Sequence, residues 1–229
     1  MMEKHYAMRD VTRQFMNRVY GWMSAALAVT AGVSLWVAST PALYIPLFQN
    51  QLLFFGIVIA QIATVMFLSW KVREMSYAAA ITAFTFYAAL VGVTCSAVLI
   101  VYTYESVATA FFVTSGMFAA MSLYGYFTKA DLSSLGNICM MGLWGLMIAG
   151  LVNMWFQNDA AQYLLSLVGV GIFTLLTAYD VQMLKDLSLS MADDAEARQK
   201  MSILGALNLY LDFINLFLRL VHLFGKRRD

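Results

Sequence analysis

Seven continuously apolar runs follow one another along the chain, and each is about as long as a helix that crosses a bilayer. They lie at residues 19–38, 52–70, 77–101, 107–127, 135–156, 161–184 and 201–224. About 20 apolar residues in an α-helix cross the hydrocarbon layer. The runs do not alternate between apolar and polar positions, so a transmembrane β-barrel is a poor interpretation. The pattern predicts an all-α integral membrane protein with one seven-helix transmembrane domain.

This organisation divides the chain into three parts. The transmembrane domain occupies residues 19–224, an amino-terminal segment precedes it at 1–18, and a short basic tail follows at 225–229. Most breaks between the apolar runs are short. The exception is residues 185–200, which we predict to be an exposed loop because of their charge. Its charged residues are Lys185, Asp186, Asp193, Asp194, Glu196, Arg198 and Lys200.

Small residues recur at four-residue spacing within the runs, which predicts close helix–helix contact at those positions. The pairs are Gly21 with Ala25, Ala28 with Gly32, and Gly116 with Ala120.

Composition agrees with a membrane protein. Of the 229 residues, 62% are apolar and 12% are charged, whereas soluble domains are about half apolar and about a quarter charged. The net charge of +1 gives no electrostatic basis for binding nucleic acid. The two cysteines, Cys95 and Cys139, lie inside apolar runs, so we interpret them as core residues rather than a disulfide or metal pair.

Basic residues predict the orientation. Ten lysines and arginines lie in the amino-terminal segment and in the connections at 71–75, 128–134 and 185–200. The opposing connections at 39–51, 102–106 and 157–160 have none. The positive-inside rule then places the amino terminus in the cytosol. No cleavable signal peptide is expected, because the first apolar run is too long for one.

The basic tail disagrees with this rule. With seven spans, Lys226, Arg227 and Arg228 end on the outer side. Either the ten cytosolic charges dominate or the last span does not cross fully, and we favour seven spans.

Two acidic residues interrupt the apolar runs. Asp180 lies about 7 Å from the cytosolic end of the sixth span, and Asp212 lies about 16 Å from that of the seventh. An ionised carboxylate at membrane depth is costly unless it is paired, protonated or hydrated. If helix tilt brings the two together, they share one proton and form a switch. The alternative is a protonated acid that only links helices by hydrogen bonds.

A polar stripe runs along the seventh span. Asn208, Asp212, Asn215, Arg219 and His222 follow one another at helical spacing. Such a stripe is expected to face the bundle interior or a water-filled path. For Arg219 and His222 the alternative is snorkelling to the membrane surface, and for the two asparagines it is interhelical hydrogen bonding.

Basic residues also end the second span, on the side where Asp180 lies. Lys71 or Arg73 could reach a carboxylate at the cytosolic end of the helix bundle and favour its ionised form. The alternative is a plain interfacial anchor that sets topology.

Two motifs carry a family resemblance. The run from Leu204 to Phe217, with Tyr-Leu-Asp-Phe-Ile-Asn at its centre, resembles the signature of the Bax inhibitor-1 family (transmembrane BAX inhibitor motif proteins). The run Thr177–Gln182 is similar to a second signature of that family, and residues 21–23 and 121–126 are similar to its bacterial members.

The resemblance implies a seven-helix bundle with the last helix at its centre, in a bacterial inner membrane. It implies a non-enzymatic, pH-sensitive calcium leak gated by two aspartates, which match Asp180 and Asp212, with calcium as the ion and no cofactor. The family places an arginine from the second helix near that pair, and this chain offers Lys71 and Arg73 there. A membrane-bound AAA protease is an implied partner of some bacterial members.

Other function classes fit the motifs less well. Tyr179–Asp180 resembles half of the intramembrane aspartyl protease signature, but a Gly-x-Gly-Asp motif is absent and the Pro-Ala-Leu triplet lies at 41–43, in the first connection. The seventh span has no lysine for a retinal Schiff base. No His-Glu-x-x-His motif is present for zinc. The serious alternative is an interaction protein that uses the aspartates to link helices and residues 185–200 to bind partners.

Overall fold

The computed structural model describes residues 2–192 and 194–228, and of residues 2–7 only the backbone. Within these residues every regular element is an α-helix. The helices, in chain order, are α1 (Met2–Ser39), α2 (Pro41–Gln49), α3 (Gln51–Lys71), α4 (Tyr77–Val101), α5 (Tyr104–Phe127), α6 (Ser133–Phe156), α7 (Asp159–Ser190) and α8 (Ala195–Phe224). Met1, Asp193 and Asp229, which belong to the predicted amino-terminal segment, the 185–200 loop and the tail, lie outside the described residues.

Seven of these helices are long and apolar enough to cross a membrane, and they coincide with the seven predicted runs. The shorter α2 is the exception. The all-α fold class and the prediction of seven helices long enough to span a membrane are therefore confirmed. The last span is also the most deeply buried. Of its 18 most apolar consecutive residues, 67% are buried inside the protein, against 6% for α3. This burial is what the resemblance implies for a central helix.

The predicted loop at 185–200 is wrong in extent. Helix α7 continues to Ser190 and α8 begins at Ala195, so most of the stretch is helical. The reason is that it contains no proline or glycine, and its charged residues are compatible with a helix. Asp194 accepts the backbone N–H of Ala197 at 2.9 Å, and the Arg198 guanidinium donates to the carbonyls of Met191 and Ala192. These bonds satisfy the helix ends that face each other across the short turn.

The connection at 39–51 also contains a helix that the sequence did not predict. Helix α2 starts at Pro41, where the first turn needs no N–H donor, and it contains a second proline at position 46. The Asn50 side chain then accepts the N–H groups of Leu52 and Leu53 and caps α3.

Contacts group the chain into two units. The first comprises the residues up to Val101 together with Leu187–Tyr210, and the second comprises Tyr102–Asp186 together with the residues from Leu211 onward. Helix α8 therefore contributes its first half to one unit and its second half to the other.

In the first unit, α1 packs closely against α4. A Cβ on Gly92 would lie 2.8 Å from the carbonyl oxygen of Thr30, so only glycine allows this approach. The hydroxyls of Thr30 and Ser34 donate to the carbonyls of Ala88 and Gly92 at 2.9 and 2.8 Å.

The predicted small-residue contacts at Gly21, Gly32 and Gly116 are wrong. A Cβ at any of these three positions would meet nothing within 4 Å. The close approaches involve other glycines, because four-residue spacing does not specify which side of a helix meets a neighbour.

Candidate ion-binding aspartate pair

Asp180 and Asp212 lie together in the second unit, on α7 and α8. Their side chains approach closely enough for a hydrogen bond between the carboxyl groups. Asp212 is only 5% exposed, and its Oδ2 atom has no hydrogen-bond partner among the described residues. Asp180 is half-buried. A buried carboxyl oxygen without a partner is costly in a protein core, so this atom is a point at which a proton, water or cation would bind favourably.

The segment of α7 that carries Asp180 is held against the connection between α5 and α6. The Gln182 amide donates to the carbonyl of Ala130 at 2.8 Å and accepts the N–H of Leu132 at 2.9 Å. Lys185 donates to the carbonyl of Tyr126 at 3.0 Å. These bonds tie the part of α7 that follows Asp180 to backbone atoms of the connection, which fixes the position of Asp180 along the helix axis.

The connection itself is ordered by a local turn. Asp131 accepts the backbone N–H of Ser133 at 2.9 Å. Hydrogen bonds from the Ser133 side chain and backbone hold the pKa of Asp131 below its ordinary value. The first turn of α6 therefore starts beside a carboxylate, which suits the positive end of the helix dipole.

Close backbone contacts add to this scaffold. A Cβ on Gly125 of α5 would lie 2.2 Å from the carbonyl oxygen of Ala178, two residues before Asp180. A Cβ on Gly136 of α6 would lie 2.5 Å from the ring of Tyr179. Both glycines let α7 approach its neighbours more closely than any larger residue would.

Gly125→Ala should therefore lower stability, by about 1–3 kcal/mol, since the added methyl overlaps a backbone carbonyl that cannot move aside. The measurement is the apparent melting temperature in detergent. Gly116→Ala on the same helix is the matched control, because a Cβ there meets nothing within 4 Å. Alanine also favours helix over glycine, so the control should be neutral or slightly stabilising. Equal melting temperatures for the two variants would contradict the close α5–α7 packing.

Helix α8 is anchored next to Asp212 by aromatic packing. The ring of Phe213 meets Phe111 and Phe118 of α5 edge to face, with ring centroids 5.6 and 5.5 Å apart. Because Phe213 follows Asp212 directly, this packing sets the rotation of α8 and so the direction of the Asp212 side chain.

The remaining members of the polar stripe have varied surroundings. Asn208 and Asn215 are half-buried, and the Asn215 amide donates to the carbonyl of Leu211 in its own helix at 2.8 Å. That bond uses the nitrogen, so the oxygen is the atom available to a cation. Arg219 is half-buried, and His222 is exposed with its Nδ1 atom 2.9 Å from the carbonyl oxygen of Leu218.

Lys71 and Arg73 lie in the first unit. The Lys71 ammonium pairs with Glu74 at 2.6 Å on the surface. Arg73 borders a cavity of about 380 Å³ together with Asp194, Glu196 and Lys200. A role of either basic residue beside the aspartates stays a prediction.

The ion chemistry open to this site is that of hard oxygen donors. No group of three or more His, Cys, Asp or Glu side chains that could hold a metal occurs among the described residues. Cys95 and Cys139 are both buried free thiols. Two carboxylates provide at most four oxygen ligands, so a divalent cation here needs water, carbonyl or amide oxygens as well.

The attachment of the carboxyl tail was missed by sequence reasoning. Thr103 donates its backbone N–H to the carbonyl of Lys226, and Lys226 donates its N–H to the Ser106 hydroxyl, both at 3.0 Å. The Arg228 guanidinium lies 4.2 Å from the centroid of the Tyr104 ring. The sequence feature that could have revealed this attachment is the aromatic-rich stretch Tyr102–Tyr104. It contains no basic residue and offers ring faces to a basic tail.

Comparison with known proteins identifies similar chains along nearly the whole length. Residues 12–229 match the family model described as inhibitor of apoptosis-promoting Bax1. The chain is 46% identical to inner membrane protein YbhL of Escherichia coli over 215 residues, which is 93% of this chain and 92% of that protein. It is 38% identical to a protein of Borreliella burgdorferi over 96% of this chain and 94% of the relative. It is 33% identical to a membrane protein of Streptococcus pyogenes over 96% of both chains.

Proposed function

Since this chain belongs to the Bax inhibitor-1 family of multi-pass membrane proteins, we propose that it is a pH-sensitive calcium leak channel or transporter gated by Asp180 and Asp212. The observation that carries the proposal is the buried Asp212 carboxyl, which faces a second acid and has an oxygen without a partner. The protein acts without catalysing a reaction and needs no cofactor, because calcium is its cargo. By analogy with the Escherichia coli relative, it resides in the bacterial inner membrane.

At low pH the two carboxyls share one proton. A hydrogen bond then joins α7 to α8, and the site carries a single negative charge, which attracts a divalent cation weakly. Raising the pH removes the shared proton. The two carboxylates then repel each other, the link between the helices is lost, and a doubly negative site is formed. Calcium flux therefore rises as the pH rises through the titration of the pair.

The ligand count favours a leak over storage. Calcium takes six to eight oxygen ligands, and the pair provides at most four. Water and carbonyl oxygens complete the shell, together with the side-chain oxygen of Asn215 in the same unit. Such a mixed shell binds calcium weakly and releases it quickly. Lys71 or Arg73 would favour the ionised form of any carboxylate that it reaches at the cytosolic end of the helices.

The test is calcium flux into proteoliposomes across a pH series. Flux should rise with pH in the wild type, while the double variant Asp180→Asn, Asp212→Asn should show low flux that does not respond to pH. Unchanged pH-dependent flux in the double variant would remove the aspartates from the mechanism. That result would favour the alternative function, an interaction protein that modulates a membrane-bound AAA protease. Proteolysis of a peptide substrate by the purified protein, lost in the double variant, would instead indicate an aspartyl protease.

The proposed orientation places the amino terminus and the α7–α8 turn in the cytosol, from the excess of basic residues on that side. A reporter inserted between Ala192 and Ala195 should give a cytosolic signal, and one fused after Arg228 should give an external signal. An external signal from the first fusion would reverse the whole orientation. A cytosolic signal from both would mean that α8 does not cross the membrane.

A further inference from the structure

A small polar cavity lies at the end of the second unit where α7 begins and α8 ends. Its volume is about 180 Å³, which is room for several water molecules. We call it the tail cavity, because Gly225 and Arg227 of the attached tail form part of its wall. The other lining residues are Tyr102, Asp159, Gln162, Tyr163, Ser166 and His222.

One face of α7 leads from this cavity toward the aspartate pair. Asp159, Gln162, Ser166 and Gly169 follow one another at three- and four-residue spacing, so they share that face. The first three line the tail cavity. Gly169 continues the row one turn deeper into the span.

Arg219 of α8 covers this deeper position. A Cβ on Gly169 would lie 3.0 Å from Nε, 3.1 Å from Cδ and 3.2 Å from Cγ of Arg219. The arginine side chain therefore crosses the α7 backbone in close contact, and glycine at 169 makes the space for it. This geometry differs from snorkelling to the lipid surface, in which the side chain would extend away from neighbouring helices.

No acidic side chain among the described residues forms an ion pair with Arg219. The ion pairs recorded in the described part of the chain are Lys71 with Glu74 and Lys200 with Glu196. Arg219 is half-buried within α8, where a guanidinium retains its charge and is only weakly screened. It precedes the cavity residue His222 by one turn and follows Asp212 by seven residues, about 10 Å along the helix.

We propose that Arg219 is a specificity-determining residue that limits the entry of cations from the tail cavity toward Asp212. A fixed positive charge on the face that continues from the cavity raises the energy of a cation there and lowers that of an anion. This role rests on the leak that we propose above. In that leak, Arg219 slows the passage of calcium and hinders cations in the tail cavity from reaching the two aspartates.

The first test measures the electrostatic potential and does not depend on calcium transport. Ser166→Cys is made in a background in which Cys95 and Cys139 are replaced by alanine. The rates of modification by a sulfonate-bearing and a trimethylammonium-bearing methanethiosulfonate are compared, each normalised to its rate with a free thiol. With Arg219 present the anionic reagent should react faster. Arg219→Gln should lower the anion-to-cation ratio roughly tenfold.

Matched variants separate the charge of Arg219 from general effects. Arg219→Lys keeps the charge and should keep the ratio, and Gly169→Ala should lower it in part by displacing the side chain. Arg227→Gln removes a charge from the cavity wall and should change the ratio less than Arg219→Gln does. A neutral methanethiosulfonate should react at equal rates in all of them, which controls for access and folding. An unchanged ratio in Arg219→Gln would overturn the proposal.

The second test is calcium flux in the same variants without the added cysteine. Arg219→Gln should increase calcium flux severalfold, while Arg219→Lys should retain the wild-type rate. A changed reagent ratio without any calcium flux in the wild type would refute the leak but leave the electrostatic role of Arg219 intact. A wild-type leak that Arg219→Gln leaves unchanged would refute the role of Arg219 and leave the leak intact.

Discussion

Asp212→Asn should lower calcium affinity about tenfold or more and flatten the rise of calcium flux with pH. Asparagine has the shape of aspartate, so the packing of α8 is preserved, but it stays neutral at every pH. The variant therefore mimics a pair that never loses its shared proton. Its flux should rise much less between pH 6 and pH 8 than wild-type flux does, because only Asp180 remains to titrate.

The matched control for this variant is Asp186→Asn. Asp186 is an exposed residue of α7, six positions after Asp180, and the same change there removes one negative charge from the same helix. Flux and calcium binding should match the wild type in this control. Equal loss in both variants would mean that the general negative charge of α7 and α8 attracts calcium and that the buried pair has no special role.

The spans were predictable because bilayer thickness imposes a long apolar run on each crossing helix. Their ends were not, because polar residues outside the hydrocarbon can continue a helix or end it. Lys185 to Lys200 illustrates this, since the charged sequence looked like a loop but lacks any residue that breaks a helix. The connection at 39–51 shows the same effect, because a nine-residue helix that includes Pro41 and Pro46 forms where the sequence predicted none.

The two aspartates could be singled out from the sequence because charge is rare and costly inside an apolar run. What could not be foreseen is what holds them. The side-chain bonds of Gln182 to the 128–132 connection and the packing of Phe213 on α5 depend on the rotation of each helix about its axis. Hydrophobic spacing leaves that rotation undetermined when a span is apolar on all sides. For the same reason Gly92 and Gly125 make close contacts, while Gly116 makes none.

Tyr210→Ala should be the most destabilising single change in the first unit, at about 3–5 kcal/mol. The Tyr210 side chain is fully buried, and its ring meets Phe84 and Tyr87 of α4 edge to face, with centroids 5.7 and 6.0 Å apart. Its hydroxyl lies 2.6 Å from that of Thr30 on α1. Truncation therefore leaves a cavity among three helices and removes the contact that holds α8 two residues before Asp212.

The hydrogen bond and the ring can be separated. Tyr210→Phe keeps the ring packing and loses only the hydroxyl, and Thr30 still donates to the carbonyl of Ala88, so the cost should be about 0.5–1.5 kcal/mol. Apparent melting temperatures in detergent measure the stability of both variants, and Tyr124→Ala at a half-exposed site on α5 serves as the control for losing a tyrosine.

Combining Tyr210→Phe with Thr30→Val should cost less stability than the sum of the two separate changes, because both remove the same bond. Strict additivity would show that the two hydroxyls do not interact, and a small effect of Tyr210→Ala would show that α8 is not anchored at this ring.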